Sequence, residues 1–493
     1  MTGELATIEL NLRKIFPVLV LVSVLAIITA SCGADTSEPT PSPSASTRTP
    51  RPTQTARASL TPTSPPTLTP VPTLPVDESA LRGTSIEFWR IHGYLMPGAD
   101  GRDTLQELVD EFNQTNAWGL YVRTRAFNDY AEIFDTIQSS VYGVLPNLAL
   151  GYNYQARSLY RSSQLLVDLN PYLQDPHWGL TEQDLADFYP LFWQQEQDSG
   201  VHLGVPFYRS GQVLFYNQSW AEQLGFGTPP TTSQEFAEQA CTAARAFSSV
   251  EGNPPGAGGW VIDRSAPGLL AWIYAFGGEA ELPGQPGYDF ESPETLEAFS
   301  FLRKMFDDGC AWISDGAFSN AEFAERQALF LSSSLTGLPN QAKAFIQAGN
   351  ADQWTAIPFP SQEGEPVIVT YGPALVVLSG EPEQELAAWL LARWLVSPEI
   401  QARWAQNQGT FPTRRSVVDL LGDFQGSHPQ WEAALELLPY ARVEPGRPSW
   451  SLVHFVLSDA GRYLFSPLVT ASQIPGVLET LDQTASELDG QFR

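Results

Sequence analysis

From Thr84 onward apolar and polar positions fall into short alternating runs, and each run predicts one element. Thr84-Ser85-Ile86-Glu87-Phe88-Trp89 reads as a strand, followed by a Gly- and Pro-containing loop from His92 to Arg102. DTLQELVDEFNQTN then sets Leu105, Leu108, Val109 and Phe112 on one helical face. GLYVRTRAF predicts a second strand, DYAEIFDTIQSSV a second helix, and NLALGYNYQ a third strand running into a loop. Strands alternating with helices imply a largely parallel sheet with right-handed crossovers. In such sheets ligands sit beyond the carboxyl ends of the strands. Those ends carry Trp89, Phe127-Asn128-Asp129-Tyr130 and Tyr152-Asn153-Tyr154.

The run from Gly204 to Asn217, GVPFYRSGQVLFYN, predicts one extended buried strand, with Gly211 permitting close backbone approach and Tyr208-Arg209 halfway along. A helical segment NQSWAEQLGFG follows, then a Pro-Pro break. TTSQEFAEQACTAARAF opens with Thr232 three residues before Glu235, the spacing of a capping box. Further along, Trp260-Val261-Ile262 reads as a strand and LLAWIYAFGGE as a helix ended by a Gly pair. Ser292-Pro293 starts a helix with Leu296, Phe299, Leu302 and Phe306 inward. ALFLSSSLTGLPNQAKAF predicts a strand, a Ser-rich loop and a helix start, and YGPALVVLS a strand above an amphipathic helix over 383–396.

The order of these elements, with these residues, resembles bacterial extracellular solute-binding proteins of the family 1, maltose-binding-like type. The likeness rests on GVPFYRSGQVLFYN and on FLRKMFDDG, AIPFP, YGPALVVLS, LLARWLVSPEIQARWAQNQGTFPTRRS and PSWSLVHFVLSDAGRYL, which follow in the family's order from about residue 83 to the end. It implies an α/β, two-lobed periplasmic-binding-protein fold of type II with discontinuous lobes and a cleft between them. One lobe is expected at 82–209 plus 359–420 and the other at 210–358 plus 421–493. Residues 204–217, AIPFP and the segment after FPTRRS would be the crossings, the aromatic helix LLAWIYAF would face the cleft, and the Ser-rich loop would close over ligand. The implied role is the substrate-binding subunit of an ABC importer, a monomer that docks on the transmembrane permease subunits, performs no catalysis and needs no cofactor.

Composition narrows the partners. A formal charge of -28 with only three lysines excludes nucleic acid and an anionic membrane surface as binding partners, because phosphate contacts draw on Lys and Arg. Residues 1–32 read as an export signal, with Arg13 and Lys14 flanking an apolar run too short for a comfortable membrane span. Its end, Ile28-Thr29-Ala30-Ser31-Cys32, looks like a lipobox, with Cys32 as the lipid anchor; an uncleaved anchor is the alternative, and both tether the protein outside the cytoplasmic membrane. Residues 33–81 are a Thr/Pro/Ser-rich, disordered linker whose Thr-Pro pairs favour extended geometry. Cys241 and Cys310 read as a disulfide of an exported domain, closing a loop worth roughly 4 kcal/mol on the chain-entropy model. Two buried thiols are the alternative.

A sugar offers apolar faces and a rim of hydroxyls, so its receptor needs flat aromatic rings and planar polar groups. Trp89, Tyr130, Tyr152, Tyr154, Tyr208, Trp272, Tyr371 and Trp450 fall at strand ends, crossings or helix starts where rings meet ligand; each taken singly reads as core. Arg209 and Arg414 are candidate cleft cations, or else interlobe ion pairs. Asn128, Asn153 and Asn340 are candidates for hydroxyl contacts, against the plainer reading of turn formers. Ser332-Ser333-Ser334 adds a possible anion site, with Ser334 as its contact, and family members that bind glycerol-3-phosphate also combine serines, a tyrosine and an arginine. Carbohydrate, an oligosaccharide by the aromatic count, is the first expectation and glycerol-3-phosphate the second. An extracellular glycoside hydrolase and a carbohydrate adhesion module are the readings of other classes. The five histidines show no metal spacing, and neither a phosphate loop nor a nucleophile elbow occurs.

Overall fold

Two sheets organise the chain, and the computed structural model describes it over residues 73–493 apart from 93–101, 141–142, 144, 254–256, 282–283, 285, 315, 317–318, 363–364 and 493. The signal, Cys32, most of the linker and most of the His92–Arg102 loop therefore lie outside the described residues. These elements belong to one compact unit, Thr69–Arg493.

The first sheet runs in the order Tyr121–Phe127, Ser85–Ile91, Leu148–Gly151, Ala374–Val377, Val205–Pro206. Its first three strands are parallel, in register from Ser85 opposite Tyr121 to Ile91 opposite Phe127. Helix Thr104–Thr115 buries Leu105, Leu108, Val109 and Phe112 against this sheet, the stripe read from the sequence. Helix Pro382–Leu395 adds Leu386, Trp389, Leu390 and Leu391 to the same core.

The second sheet is built round Ser210–Asn217, every residue of which is buried. Ala328–Ser334, Trp354–Ile357 and Ile368–Tyr371 all pair antiparallel to it. Gly258–Val261, Ala311–Trp312 and Ala441–Val443 complete the sheet. Helix Ser233–Ser248 is capped by Thr232, which accepts from the Glu235 N–H while Glu235 reaches back. Cys241 on that helix and Cys310 are joined in a disulfide.

Several expectations shift. The run 204–217 is two strands, not one, because Val205–Pro206 pairs in the first sheet and Ser210–Asn217 in the second. Between them the Arg209 backbone bridges Phe411, and the Phe411 ring lies 2.8 Å from where a Cβ on Gly211 would stand. AIPFP is not a crossing: Trp354–Ile357 and Ile368–Tyr371 both stay in the second sheet, and the chain passes to the first only at Gly372-Pro373. A Cβ on Gly372 would meet the Tyr208 carbonyl oxygen at 2.3 Å, so two passages lie backbone to backbone there. The third passage comes near Phe411 rather than 420, since Val417 and Leu421 already pack with Val213 and Phe215 of the second sheet. The fold also begins before residue 82. Leu74 and Val76 pack on the first core, the Leu74 N–H donates to Asp175 Oδ2 at 2.8 Å, and Leu81 is fully buried. These aliphatic residues supply what the Thr/Pro/Ser run lacks.

Arg209, expected in the cleft, is a completely buried pin between the passages. Its Nη1 donates to the carbonyl oxygens of Tyr208 (2.9 Å) and Pro373 (3.1 Å), its Nε to Gln195 Oε1 (3.2 Å), and its Nη2 pairs with the Glu196 carboxylate. A buried charge stripped of its partner costs roughly 3–5 kcal/mol. Arg209→Met is therefore expected to lower unfolding free energy by about that amount in a denaturant titration, and adding Glu196→Gln to restore part of it. A loss under about 1 kcal/mol would show that the passages are not tied there.

Candidate functional site

The passages bring tyrosines from both halves of the chain together. Tyr130 opens a helix, Tyr130–Ser139, behind the Asp129 cap, and Tyr152 and Tyr154 lie where Leu148–Gly151 runs into helix Asn153–Ser163. Sequence analysis expected a loop at that helix. The hydroxyls of Tyr130 and Tyr208 are 2.6 Å apart; the Tyr130 and Tyr152 rings meet edge to face at 5.0 Å; and Tyr152 stacks on Tyr154 at 5.4 Å. Tyr371, ending its strand in the second sheet, lies within electrostatic reach of Tyr152. Tyr152 and Tyr371 remain partly exposed. Burial raises the hydroxyl pKa of Tyr130, Tyr152 and Tyr154, with neighbouring tyrosines adding to the first two and Glu444 to the last, so these groups stay neutral donors.

Beside them lies a cavity of about 600 Å³ lined in part by Gln212, Asp263, Arg264, Ser334, Tyr371 and His454. That volume suits a small organic solute. Gln212 Nε2 donates to Asp263 Oδ2 at 2.6 Å, and Asp263 also accepts from the Ser265 N–H and hydroxyl, each at 2.8 Å. Burial nonetheless raises the Asp263 pKa against those bonds. Arg264, on the rim, forms no hydrogen bond or ion pair among the described residues. A larger hollow of about 910 Å³ beside Tyr274 and Arg442 shares no residue with this cavity.

Glu444 is the residue that sequence reasoning missed. It follows strand Ala441–Val443, is 9% exposed, and acts on Tyr152, Tyr154, Tyr274 and Tyr371. Burial pushes its carboxyl up to about 8, with only the Trp450 indole acting the other way. As one of 55 acidic residues it carried no distinguishing signal. Gln212 did: a polar side chain inside an otherwise apolar strand has to find partners.

Other expected contacts are placed elsewhere. Trp89 is core, packed with Phe127 at 4.9 Å under the Arg125 guanidinium. Trp272, in the helix expected to face the cleft, is buried among Phe236, Trp260 and Phe359. That helix, Ala266–Ala275, is buried almost throughout, so it has no face left for solvent. Arg414 is held by Asp184 and Asp187, both at 2.7 Å. Asn128 bonds Glu132 at the start of its helix, the buried Asn153 side chain accepts from the Tyr154 N–H, and Asn340 is exposed on helix Leu338–Ala348. Ser332 to Ser334 complete a strand instead of forming a loop. Ser332 accepts from the Trp260 indole and Ser334 bonds Thr336, while Ser334 still reaches the cavity. Trp450 is 1% exposed and lies behind the cavity wall, its ring 6.2 Å from that of His454. Among the described residues no three His, Cys, Asp or Glu side chains converge on a metal position.

The sn-glycerol-3-phosphate-binding periplasmic protein UgpB of Yersinia pseudotuberculosis is 24% identical over 370 residues, 71% of this chain and 78% of its own length. The sugar-binding protein MalE of Xanthomonas citri superposes with a TM-score of 0.69 at 19% identity, covering 83% of this chain and 98% of MalE. UgpB of Mycobacterium tuberculosis, solved with glycerophosphocholine, gives 0.67 at 20%, covering 83% and 100%. These likenesses show the fold, an α/β, two-lobed periplasmic-binding-protein fold of type II with discontinuous lobes and an interlobe cleft. The sequence profile described as bacterial extracellular solute-binding protein matches residues 107–437, two-thirds of the chain, and the chain belongs to that family.

Proposed function

We propose that this chain is the extracytoplasmic substrate-binding subunit of an ABC importer, held outside the cytoplasmic membrane by lipid on Cys32 and taking up a carbohydrate as a monomer. The observation that carries this reading is the cluster of Tyr130, Tyr152, Tyr154 and Tyr208, with Tyr371 of the second sheet within electrostatic reach of Tyr152 and lining a cavity of about 600 Å³. Tyrosine faces stack on sugar rings, and the Gln212 and Asp263 side chains offer planar acceptors to hydroxyls. A solute that touches both lobes favours their closed arrangement by its differential affinity, and the closed form is what a permease would recognise. Of the expected lobes, 82–209 plus 359–420 and 210–358 plus 421–493, we keep the boundary at Arg209, extend the first lobe back to Leu74, and move the carboxyl boundaries to the passages at Gly372 and Phe411. Glycerol-3-phosphate is the second reading, favoured by one feature: Arg264 on the cavity rim, without an ion pair among the described residues, beside Ser333 and Ser334.

Three outcomes are expected. In thermal scans of the purified protein against sugars and glycerol phosphates, a cleft ligand at a hundredfold excess over Kd stabilises by roughly 2.7 kcal/mol and raises Tm. A panel in which only phosphate esters shift Tm would replace the sugar reading by the second. Tyr152→Ala is expected to weaken sugar binding about tenfold, the worth of one ring face, in calorimetric titration. A variant that binds as tightly as the parent would remove Tyr152 from the site.

The third outcome concerns pH. The Glu444 carboxyl rises from 4.5 to about 8 on folding, so the folded state holds a proton that the unfolded chain gives up. Its contribution is therefore full below pH 4.5 and is lost as pH rises towards about 8. The Tm of the unliganded protein should fall across that window, and Glu444→Gln, which cannot ionise, should flatten the fall. Parallel curves for the two proteins would count against a buried neutral carboxyl.

A further inference from the structure

Resting on the solute-binding role above, we infer that the transported carbohydrate is an acidic one, a uronic acid whose carboxylate is received by Arg264 on the wall of the cavity of about 600 Å³. Besides His454, whose ring burial keeps neutral, the described lining of that cavity holds three chargeable side chains: Asp263, Arg264 and Arg462. Two of them are committed within the protein. Asp263 Oδ2 accepts from Gln212 Nε2 at 2.6 Å and from the Ser265 hydroxyl at 2.8 Å, and its Oδ1 accepts from the Ser265 N–H at 2.8 Å. The same Oδ2 lies 2.6 Å from where a Cβ on Gly268 would stand. The carboxyl group is thus folded back over the first turn of helix Ala266–Ala275, where glycine leaves it room. Arg462 is paired with Asp459 and is more than half exposed.

Arg264 alone in this wall is uncommitted, with no hydrogen bond or ion pair among the described residues. Partners are not scarce. Asp and Glu number 55 against 27 Lys and Arg, and Arg414, Arg442 and Arg447 each hold a carboxylate. A guanidinium left open in the cavity of so acidic a chain is available to solute.

While the cavity is open, water solvates that charge. Closure of the lobes over a solute removes the water, and a charge stripped of water is costly unless a countercharge comes with it. A carboxylate supplies one, through two parallel N–H···O bonds to the planar guanidinium. A neutral hydroxyl accepts a bond and leaves the charge unanswered. A phosphate monoester brings close to two negative charges at neutral pH and sets the second beside Asp263, with no other uncommitted cation in the described wall to meet it. The remaining wall suits a sugar ring, with Tyr371 as an aromatic face and Gln212 and Ser334 as polar groups for hydroxyls. The acidic field of the whole chain slows an anion's approach, but salt screens it beyond about 8 Å, so it governs the rate of entry and not the pairing inside.

The test is calorimetric titration of the full chain at pH 7, where a sugar carboxyl is ionised. The probes are two matched pairs, α-1,4-digalacturonate with its dimethyl ester and cellobiouronate with cellobiose, together with glycerol-3-phosphate. In at least one pair the acid is expected to bind about tenfold tighter, or better, than its uncharged counterpart. In Arg264→Gln that ratio should fall to about one. Arg264→Lys keeps the charge and loses the fork, so its ratio should settle in between, with Tm scans showing that both variants are folded. Uncharged counterparts that bind as tightly as the acids, or a ratio unmoved by Arg264→Gln, overturn the inference, as does glycerol-3-phosphate binding tighter than either acid. Binding of neutral sugars from the wider panel with neither acid bound overturns it too. In each of those cases a solute is still held and the importer reading stands. Failure of every sugar and phosphate ester would instead bring down the proposed function, and this inference with it.

Discussion

A chain that passes three times between two sheets must bury polar backbone at each passage, and those groups need partners. Arg209 is where they find them. One guanidinium satisfies the carbonyl oxygens of Tyr208 and Pro373 on two different passages, while its own backbone bridges Phe411 on the third. The charge this buries is answered by Glu196, so the arrangement is self-consistent only with both residues present. The tyrosine ring depends on it: Tyr208 is the neighbour of Arg209, and Tyr371 immediately precedes the Gly372-Pro373 passage. If the passages slid relative to one another, the rings from the two halves would no longer meet.

Among the aromatic residues expected at the cleft, the three tryptophans are core while Tyr130, Tyr152 and Tyr371 stay at an edge, for a physical reason. Trp89, Trp272 and Trp450 are each 1% exposed, whereas Tyr152 and Tyr371 keep part of their surface open. An indole has one donor and a large apolar body, and it fills a core well. A phenol carries a group that both donates and accepts, so it is tolerated at an edge between dry packing and water. At the level of sequence both are aromatic residues at element ends. Only the packing of neighbouring helices decides which face of a strand is covered.

Much of the fold was nevertheless legible. The apolar stripe of Thr104–Thr115 and the Thr232 capping box lie where local patterning put them, because both depend on residues three or four apart. What local patterning could not resolve was partnership between distant segments. The run 204–217 is continuously apolar, yet its two ends pair in different sheets. AIPFP contains the prolines of a crossing but stays beside Ser210–Asn217, and the three serines extend a strand because Trp260 donates to one of them. Arg414 resembled a ligand contact until Asp184 and Asp187, more than two hundred residues away, came to meet it. The tyrosines that meet across the passages were visible as rings at element ends, whereas nothing local marked Glu444, whose raised carboxyl comes wholly from what surrounds it.

Charge gives the cleft its direction. With a formal net charge of -28, the long-range field of the chain slows the approach of anions and favours cations, although physiological salt confines that field to about 8 Å. Away from water the screening fails, and two carboxyls, Asp263 on the cavity wall and Glu444 outside its lining, are both raised by burial. Asp263 has hydrogen bonds from Ser265 and Gln212 and the nearby Arg264, whereas Glu444 has aromatic rings. The cavity wall thus sets a carboxyl and a guanidinium side by side, at Asp263 and Arg264, which together can meet both the donors and the acceptors of a polar solute.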